Sequence, residues 1–516
     1  MRSPLHPGNL PFYLLWAILL VAAISRFYGL DRLSLWEDEL WVVMDSTQGS
    51  LWQMLQTVYY QDNHPPGLYL MSRYSQYILG TSDAAIRLPF AIAGVLLVGL
   101  TWKVGSRFFS GEAGLVAAAV VAGSYQAIYY SQEARANILV ALFALAAFYF
   151  FYTVLEEEKK QRSSYAGFWL SAATVAYLHY AGLVFVLSLG IIFCALWLLD
   201  RKKYPIGAGV WLFVPVILLY APWLPGTWYD LQNSPPESWQ HAPDAKTLAR
   251  TFTFLFGRDG LRINLSYAVF WLTLAAIAVI PLLGRQHQKR KSLVVLAMMW
   301  MAALLPLAMF FIKSLLSQPV YNERHFIYCI PFLALAGGFW MAWLLDCCPA
   351  RYRAGALVVC ISIILAYQGI TNKNRSLYRL GFFKAEYRQS VEFVRQDHQF
   401  WQQEKPAILA NTRFFDHYLA LPGLEKPASS FHYEAHRSAE EAVAYIEANN
   451  AREFYLLEAG VLDAMTPQNQ ALSARFQPLC RKQFDRVQVI RYGVRSAQPV
   501  DLMTLPVCEA RPQNPG

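Results

Sequence analysis

The sharpest local feature of the sequence is a run of three carboxylates, Glu37, Asp38 and Glu39, between two tryptophans. Adjacent carboxylates repel one another and resist desolvation, so such a run is costly unless a cation or a proton transfer uses it. A carboxylate beside a bound hydroxyl can take up its proton as a general base. The alternative is a solvated turn that Trp36 and Trp41 anchor at a membrane surface. The motif alone leaves both interpretations open.

A histidine follows in a rigid setting. His64 precedes Pro65 and Pro66, which restrict the backbone to an extended entry, and Gly67 then releases the chain into a helix. A fixed imidazole beside an acidic cluster suits contact with a phosphate or carboxylate group. The alternative is a surface histidine at an ordinary helix start.

Further polar groups occur in two short connections between apolar segments. The first connection contains Arg135, and the second contains Lys313, Tyr321 and Arg324. A membrane site that binds a lipid phosphate needs cations at the depth of the headgroups. The alternative is that these cations only meet lipid headgroups at the membrane boundary.

The elements that must position these residues are membrane spans. The 516 residues are 56% hydrophobic and 15% charged, whereas soluble domains contain about 25% charged residues. The mean hydropathy is +0.27. This composition excludes a single soluble domain. Because residues 372–516 are ordinarily hydrophilic, we predict a membrane domain over residues 1–371 and a separate domain over residues 372–516.

About eleven apolar segments approach the ~17 to 25 residues that a span requires. They are Leu10–Ser25, Leu88–Trp102, Ala113–Gln132, Ala136–Leu155, Ser163–Leu178, Tyr180–Leu199, Tyr204–Trp223, Ile263–Leu283, Ser292–Ile312, Phe326–Leu345 and Ala354–Ile370. Alternate connections are basic, which marks the cytoplasmic side. This predicts a cytoplasmic N-terminus and an extracytoplasmic C-terminal domain, with the loops 26–87 and 225–262 on the outer face.

Local patterns predict structure outside the spans. In the first outer loop, leucines and tryptophans recur at helical spacing, which predicts helices lying in the membrane interface. In the C-terminal region the patterns alternate between helix and strand, which predicts a small α/β domain. The predicted elements are the helices Arg388–His398 and Ala439–Asn449 and the strands Ala407–Ala410, Glu453–Leu457 and Val487–Tyr492. A Cys480–Cys508 disulfide is one option if this domain is extracytoplasmic.

Two function classes are disfavoured. The formal net charge is +9, but the cations lie mainly in short connections, where they set topology and do not indicate nucleic-acid binding. The predicted spans hold almost no ionisable side chain at mid-depth, where ion-coupled transporters need such groups. No metal-ligand spacing such as Cys-x-x-Cys occurs, so we assign no metal site.

The order of these motifs along the spans resembles the polytopic GT-C glycosyltransferases, in particular the bacterial branch similar to protein mannosyltransferases and to the aminoarabinose transferase acting on lipid A. The resemblance covers residues 10–370. The motifs that carry it are Asp38-Glu39 after the first span, His64-Pro65-Pro66 before the second, the turn Gln132-Glu133-Ala134-Arg135, and Glu323-Arg324-His325-Phe326 at the tenth.

The resemblance implies an enzyme of the bacterial inner membrane that takes a sugar from a polyprenyl-phosphate carrier on the outer face, with inversion. Asp38 would be the general base and Glu39 its neighbour in the acceptor site. His64 would contact the donor phosphate, at a position where the aminoarabinose relatives carry lysine. Arg135 and Arg324 would contact phosphate or shape the site.

Lesser candidates complete the predicted site and its partners. Glu37, Lys313 and Tyr321 are further candidates for substrate binding. Some enzymes of the family use a divalent cation, and the acceptor classes that can be reached are lipid A, a surface glycan, a glycolipid or a protein. Two rivals from other classes are a flippase for lipid-linked saccharides and a non-catalytic membrane scaffold.

Overall fold

The computed structural model describes residues 9–156, 161–233, 242–256, 287–374, 385–396, 407–420, 430–432, 439–448, 453–460, 467–493 and 505–508. Packing divides the chain into two units. The membrane unit comprises Met1–Leu30, Asp45–Gly80 and Ala85–Tyr378. The C-terminal unit comprises Asp31–Met44, Thr81–Ala84 and Arg379–Gly516. The C-terminal unit therefore includes the segment that carries the three acidic residues, although that segment lies far from the C-terminus in sequence.

The chain is helical up to residue 374, apart from short connections in the part that the structure describes. Its helices are α1 (Leu10–Phe27), α2 (Glu37–Ser46), α3 (Leu51–Gln61), α4 (Gly67–Leu79), α5 (Asp83–Phe108), α6 (Gly111–Gly123), α7 (Tyr125–Ser131), α8 (Asn137–Glu156), α9 (Arg162–Leu178), α10 (Tyr180–Leu199), α11 (Ile206–Tyr220), α12 (Leu224–Asn233), α13 (Ala245–Phe256), α14 (His287–Leu316), α15 (Cys329–Asp346) and α16 (Ala350–Asn374). Helices satisfy their own backbone hydrogen bonds, as a lipid environment demands.

Every predicted span inside the described residues is helical. Eight of the described helical segments are long and apolar enough to cross a membrane, and α6 with α7 makes a ninth if that bent pair is one span. Helix α9 is a further apolar helix of 17 residues. The predicted span Ile263–Leu283 lies outside the described residues. The chain is a multi-pass membrane protein, and the count of eleven spans stays a prediction.

Ion pairs place several of the predicted cytoplasmic connections at one end of the helices. Glu156 ends α8, and its carboxylate lies 3.2 Å from Lys203 and 3.2 Å from Lys291. Lys203 and Lys291 belong to two different connections that the alternation of basic residues assigns to the same side. Their shared partner agrees with that alternation.

Helix α6 is largely buried within the membrane unit. It consists largely of glycine, alanine and valine, and small residues let helix backbones approach one another closely. A Cβ on Gly105 would lie 2.6 Å from the Cα of Gly114, and a Cβ on Gly338 would lie 2.4 Å from the carbonyl oxygen of Ala113. Any side chain at these two glycines would push the helices apart.

The chain bends by 61° between α6 and α7. This break leaves carbonyls at the end of α6 without partners inside the helix. The buried Arg26 of α1 donates to the carbonyls of Val121 (3.0 Å) and Ala122 (2.9 Å), and Asn372 of α16 donates to that of Gly123 (2.9 Å). Neighbouring helices thus stabilise the bend that leads the chain into α7 and the following turn.

The remainder of the C-terminal unit is an α/β domain. Its elements are α17 (Tyr387–Gln396), β1 (Ala407–Ala410), α18 (Phe414–Leu419), β2 (Ser430–His432), α19 (Ala439–Ala448), β3 (Glu453–Ala459), α20 (Pro467–Arg475), β4 (Gln477–Phe484) and β5 (Val487–Gly493). The strand order is β2-β1-β3-β5-β4. Strand β1 pairs in parallel with β2 and β3, and β5 pairs antiparallel with β3 and β4. Buried Leu409, Leu456 and Ile490 pack against Val443 and Leu472 of the helices.

The predicted small α/β domain is confirmed, and all five of its predicted elements occur. The two strands that the patterns missed, β2 and β4, are the edges of the sheet. Strand β2 has three residues, and β4 contains Pro478, Arg481 and Lys482, which suit an edge but hide the strand pattern. Cys480 and Cys508 form a disulfide.

The first outer loop also forms the helices that its spacing predicts, α2 and α3. Ser50 and Gln53 form a reciprocal capping box at the start of α3. Helix α4 begins at Gly67, directly after the paired prolines, as predicted.

Candidate functional site

The three acidic residues form the first turn of α2 in the C-terminal unit. Negative charge is favourable there because the helix dipole is positive at its N-terminus. The carboxylate of Glu39 is buried and accepts a hydrogen bond from the backbone N–H of Trp36 at 3.2 Å. Asp38 is half-buried. Glu39 therefore fixes the start of the helix, and Asp38 occupies its first turn.

Glu37 is held by a tyrosine from the C-terminal domain. The hydroxyl of Tyr387 donates to the Glu37 carboxylate at 3.1 Å. Burial raises the pKa of Tyr387, and the charge of Glu37 raises it further, so the hydroxyl keeps its proton and remains a donor. Hydrogen-bond donors thus contact the carboxylates on either side of Asp38.

The membrane unit contains a different arrangement around His64. The ring nitrogen Nδ1 of His64 lies 2.7 Å from a carboxylate oxygen of Asp62, whose other oxygen accepts a hydrogen bond from Tyr69. Burial by itself would raise the pKa of Asp62. The charge of His64, the hydrogen bonds from His64 and Tyr69, and the charge of Arg135 outweigh burial and lower that pKa below its ordinary value. Asp62 is therefore ionised, and Nδ1 of His64 donates to it.

Two more histidine rings, those of His179 and His325, follow that of His64 in space. The ring of His179 lies 5.1 Å from that of His64, and the ring of His325 lies 4.8 Å from that of His179. Nδ1 of His179 accepts the N–H of Ala181 at 3.0 Å and so caps α10. Accepting this bond requires Nδ1 to be unprotonated. Nδ1 of His325 is buried and has no hydrogen-bond partner among the described residues.

Both of these histidines are neutral near pH 7. Burial lowers the pKa of His179 well below its ordinary value, and the neighbouring His325 and His64 lower it further. Burial likewise lowers the pKa of His325, followed by the charge of Arg324. Arg135 acts in the same direction on both rings. Arg135 and Arg324 therefore lie close enough to the rings to affect their charge.

We call the set Asp62, His64, Arg135, His179, Arg324 and His325 the histidine cluster. Its members come from four connections between helices, and the sequence analysis predicts all four on the outer face. The cluster combines fixed cations with neutral imidazoles, so it can bind an anion such as a phosphate by charge and by hydrogen bonds. Among the described residues, no three His, Cys, Asp or Glu side chains converge as metal ligands.

Local structure explains how the turn before α8 presents Arg135. The side-chain amide of Gln132 donates to the carbonyls of Ser25 (3.2 Å) and Tyr28 (2.9 Å), at the end of α1. This bond ties the turn to a neighbouring helix. The turn that carries Arg135 is thereby joined to the end of α1.

The structure places two predicted substrate-binding residues in other surroundings. Tyr321 is buried, its hydroxyl lies 2.7 Å from that of Thr251, and its ring packs 5.0 Å from that of Phe326. Lys313 is exposed near the end of α14, and within the described part of the chain no hydrogen bond or ion pair joins it to the histidine cluster. The predicted roles of Tyr321 and Lys313 stay predictions, as do those of the other site residues.

The sequence analysis did not select Asp62, His179, His325 or Tyr69. Asp62 stands two residues before His64, at a spacing that allows a direct contact. His179 stands alone between two predicted spans on the predicted outer face, and an ionisable residue in so short a connection is itself a signal. Only the fold shows that His179 and His325 approach each other.

Comparison with known proteins gives one family match. The model of the dolichyl-phosphate-mannose-protein mannosyltransferases matches residues 63–223, the part of the chain that contains His64, Arg135 and His179. No curated protein sequence matches the chain.

Several solved structures share the fold over most of the chain. ArnT from Cupriavidus metallidurans bound to undecaprenyl phosphate matches with a TM-score of 0.55 and 12% identity, covering 92% of this chain and 97% of that one. The oligosaccharyltransferase of Archaeoglobus fulgidus tethered with an acceptor peptide matches with a TM-score of 0.52 and 11% identity, covering 95% of this chain and 74% of that one.

These family and structural relatives are glycosyltransferases of the GT-C type. At such low sequence identity, the structural similarity establishes a common fold and nothing finer. The resemblance inferred from the sequence motifs is confirmed at that level. This chain is a polytopic membrane protein with the GT-C glycosyltransferase fold.

Proposed function

We propose that the chain is a membrane glycosyltransferase that moves a sugar from a polyprenyl-phosphate carrier to an acceptor on the outer face. The observation that carries this proposal is the histidine cluster, where Arg135 and Arg324 act electrostatically on the rings of His179 and His325. These two arginines would supply positive charge to an anion, and His64 would supply a hydrogen bond. The related ArnT structure contains undecaprenyl phosphate, which is an anion of the class that this cluster would bind.

The cluster would act on the leaving group. Breaking the bond between the anomeric carbon and the carrier phosphate leaves a phosphate that is already a weak base. It needs charge stabilisation and no protonation by a second carboxylic acid. Arg135 and Arg324 would stabilise the charge, and Nε2 of His64 would donate to a phosphate oxygen while Asp62 holds the other side of its ring.

Asp38 would act on the acceptor as the general base, taking the proton of the attacking hydroxyl in an inverting displacement. This role rests on its place after the first span and on its half-exposed position in the first turn of α2. If the acceptor group is itself a phosphate, Asp38 orients it. The acceptor is lipid A, a surface glycan, a glycolipid or a protein, and the sugar is a hexose or a pentose.

A complementation experiment tests this proposal. Envelope lipids, glycans and proteins of a deletion strain would be compared by mass spectrometry after expression of wild-type protein, Asp38→Asn or Asp31→Asn, with equal amounts in the membrane. The expected result is a sugar-bearing product with wild type and with Asp31→Asn, because Asp31 is an exposed acidic residue outside the site. Asp38→Asn is expected to lower this product by about 10²- to 10⁴-fold, the range for general-base catalysis.

Retention of the product by Asp38→Asn at near wild-type rate contradicts the role of Asp38. A second arm separates transfer from transport. The purified protein in detergent would be mixed with isotope-labelled envelope lipids of the parent strain. A new labelled glycosidic product in detergent is the result expected of a transferase. Neither a flippase nor a scaffold forms a glycosidic bond.

A further inference from the structure

We propose that the C-terminal domain, within Arg379–Gly516, positions the candidate base, and that Tyr387 and Tyr418 are the positioning residues. This inference rests on the proposed function. Its observation is that both tyrosine hydroxyls hold the short segment that carries Asp38. The segment and the domain pack together within the C-terminal unit, although they are separated by more than three hundred residues of sequence.

The first set of contacts fixes the chain just before α2. The hydroxyl of Ser34 donates to the carbonyl of Ala385 at 2.7 Å, and the backbone N–H of Leu35 donates to the hydroxyl of Tyr418 at 2.6 Å. Ser34, Leu35 and Tyr418 are all buried. Because a buried N–H must be paired, Tyr418 dictates where the backbone of Leu35 can lie.

Tyr418 is itself oriented by an ion pair. Its hydroxyl donates to the carboxylate of Asp83, with oxygens at 3.2 and 3.3 Å. Asp83 is buried, and its carboxylate also binds the guanidinium of Arg388 at 2.9 Å. The hydroxyl proton is thus committed to Asp83, which leaves the oxygen of Tyr418 to accept from Leu35.

The second set of contacts fixes the first turns of α2 itself. The hydroxyl of Tyr387 binds the carboxylate of Glu37 at 3.1 Å. The ring of Trp41 packs edge-on against Phe414 with centroids 5.6 Å apart, and the guanidinium carbon of Arg413 lies 3.9 Å from the centre of the Trp41 ring. An arginine above a tryptophan face adds a cation–π attraction.

These contacts restrain the backbone on both sides of Asp38. A general base must lie within hydrogen-bond reach of the proton that it removes, and a misplacement of about 1 Å can reduce a rate by about 10²-fold. Tyr387 and Tyr418 would therefore contribute to catalysis without touching the substrate.

A hydrogen-exchange experiment tests the positioning on the full-length protein in detergent. Tyr387→Phe and Tyr418→Phe keep the rings and remove only the hydroxyls. Both variants are expected to speed amide exchange in residues 35–41 by about tenfold, because each loses a hydrogen bond to this segment. The matched control is Tyr492→Phe, since Tyr492 is a buried tyrosine of the same domain whose hydroxyl lies 3.5 Å from that of Ser473, outside this segment. Exchange in residues 35–41 at the wild-type rate in both test variants overturns the inference.

Steady-state transfer, measured with the product assay above, provides a second readout. Both test variants are expected to lower kcat by about tenfold, with the KM for the donor within about twofold of wild type, and Tyr492→Phe is expected to leave both unchanged. If Tyr387 acts through Glu37, then Tyr387→Phe should add nothing to Glu37→Gln in the double variant. An unchanged kcat in Tyr387→Phe and Tyr418→Phe overturns the inference while an inactive Asp38→Asn still supports the proposed base. An active Asp38→Asn refutes the base independently of the tyrosines.

Discussion

The two carboxylate-bearing regions of this protein place the same chemical group among different hydrogen-bond donors. At the start of α2, Glu37 accepts a hydrogen bond from a tyrosine hydroxyl, and Glu39 accepts one from a backbone N–H. In the histidine cluster, Asp62 is held by His64 and lies in the field of Arg135. The first set of contacts fixes the helix turn that carries Asp38, and the second fixes the orientation of the His64 ring.

The largest effect that we expect in a test of this comparison is a fall in the rate of sugar transfer when Arg135 is replaced. We expect Arg135→Gln to lower kcat/KM for the donor by about 10²-fold, because removing one donor from a charge-stabilising site typically costs 10²- to 10³-fold. The measurement is the initial rate of transfer at several donor concentrations. Arg250→Gln is the control, since Arg250 is an exposed arginine on α13. Equal rates for the two variants would contradict a phosphate-binding role for the cluster.

A smaller effect is expected at Asp62. Asp62→Asn keeps the shape of the side chain but removes the charge that holds the His64 ring, so we expect transfer to fall by about tenfold. Since Asp62 acts through His64, the double variant Asp62→Asn with His64→Gln should be no slower than His64→Gln alone. Additive losses in that double variant would show that Asp62 has a separate role.

The smallest effect is expected on stability as a function of pH. In the folded state, the pKa of His179 is lowered from 6.5. Below about pH 6.5, His179 therefore takes up a proton in the unfolded chain but stays neutral in the folded chain. Stability should therefore fall as the pH is lowered through that window, by up to about 1.4 kcal/mol per pH unit for this group. Above pH 6.5 both states are neutral and the effect vanishes.

His179→Asn can still cap α10 but cannot titrate in this range, so it should remove the His179 contribution to that dependence and leave the contribution of His325, whose pKa is lowered in the same direction. The measurement is the Tm of the detergent-purified protein between pH 5 and pH 7.5. The Asp62 carboxyl does not interfere, because its pKa is lowered below 3.8 and its contribution is lost only at lower pH. A wild-type Tm that is constant over this range would show that His179 is not neutral in the folded state.

Much of the fold could be predicted because its signals are local. Charge-free segments such as Tyr180–Leu199 form helices with the predicted bounds, since a lipid environment leaves an apolar segment of that length no other way to satisfy its backbone. Short segments rich in β-branched and aromatic residues, such as Val487–Tyr492, form strands for an equally local reason. The edge strand β4 was missed because its proline and its charges suppress the pattern without preventing the pairing.

The candidate site was predictable only in part. His64 and Arg135 stand out in sequence because a cation in a short connection is conspicuous. His179 does not, because its significance lies in ring contacts with His64 and His325, which come from different connections. The role of Glu39 also needed the structure, since a buried cap and an open carboxylate have the same sequence pattern.

The sequence by itself determined the membrane character, the alternation of connections and the identity of the charged groups, because hydropathy and charge are properties of each segment alone. The tertiary structure decided which of those groups are partners. Tyr387 meets Glu37, and Arg388 meets Asp83, across more than three hundred residues. Such contacts depend on how whole helices and strands pack, and no local pattern encodes that arrangement.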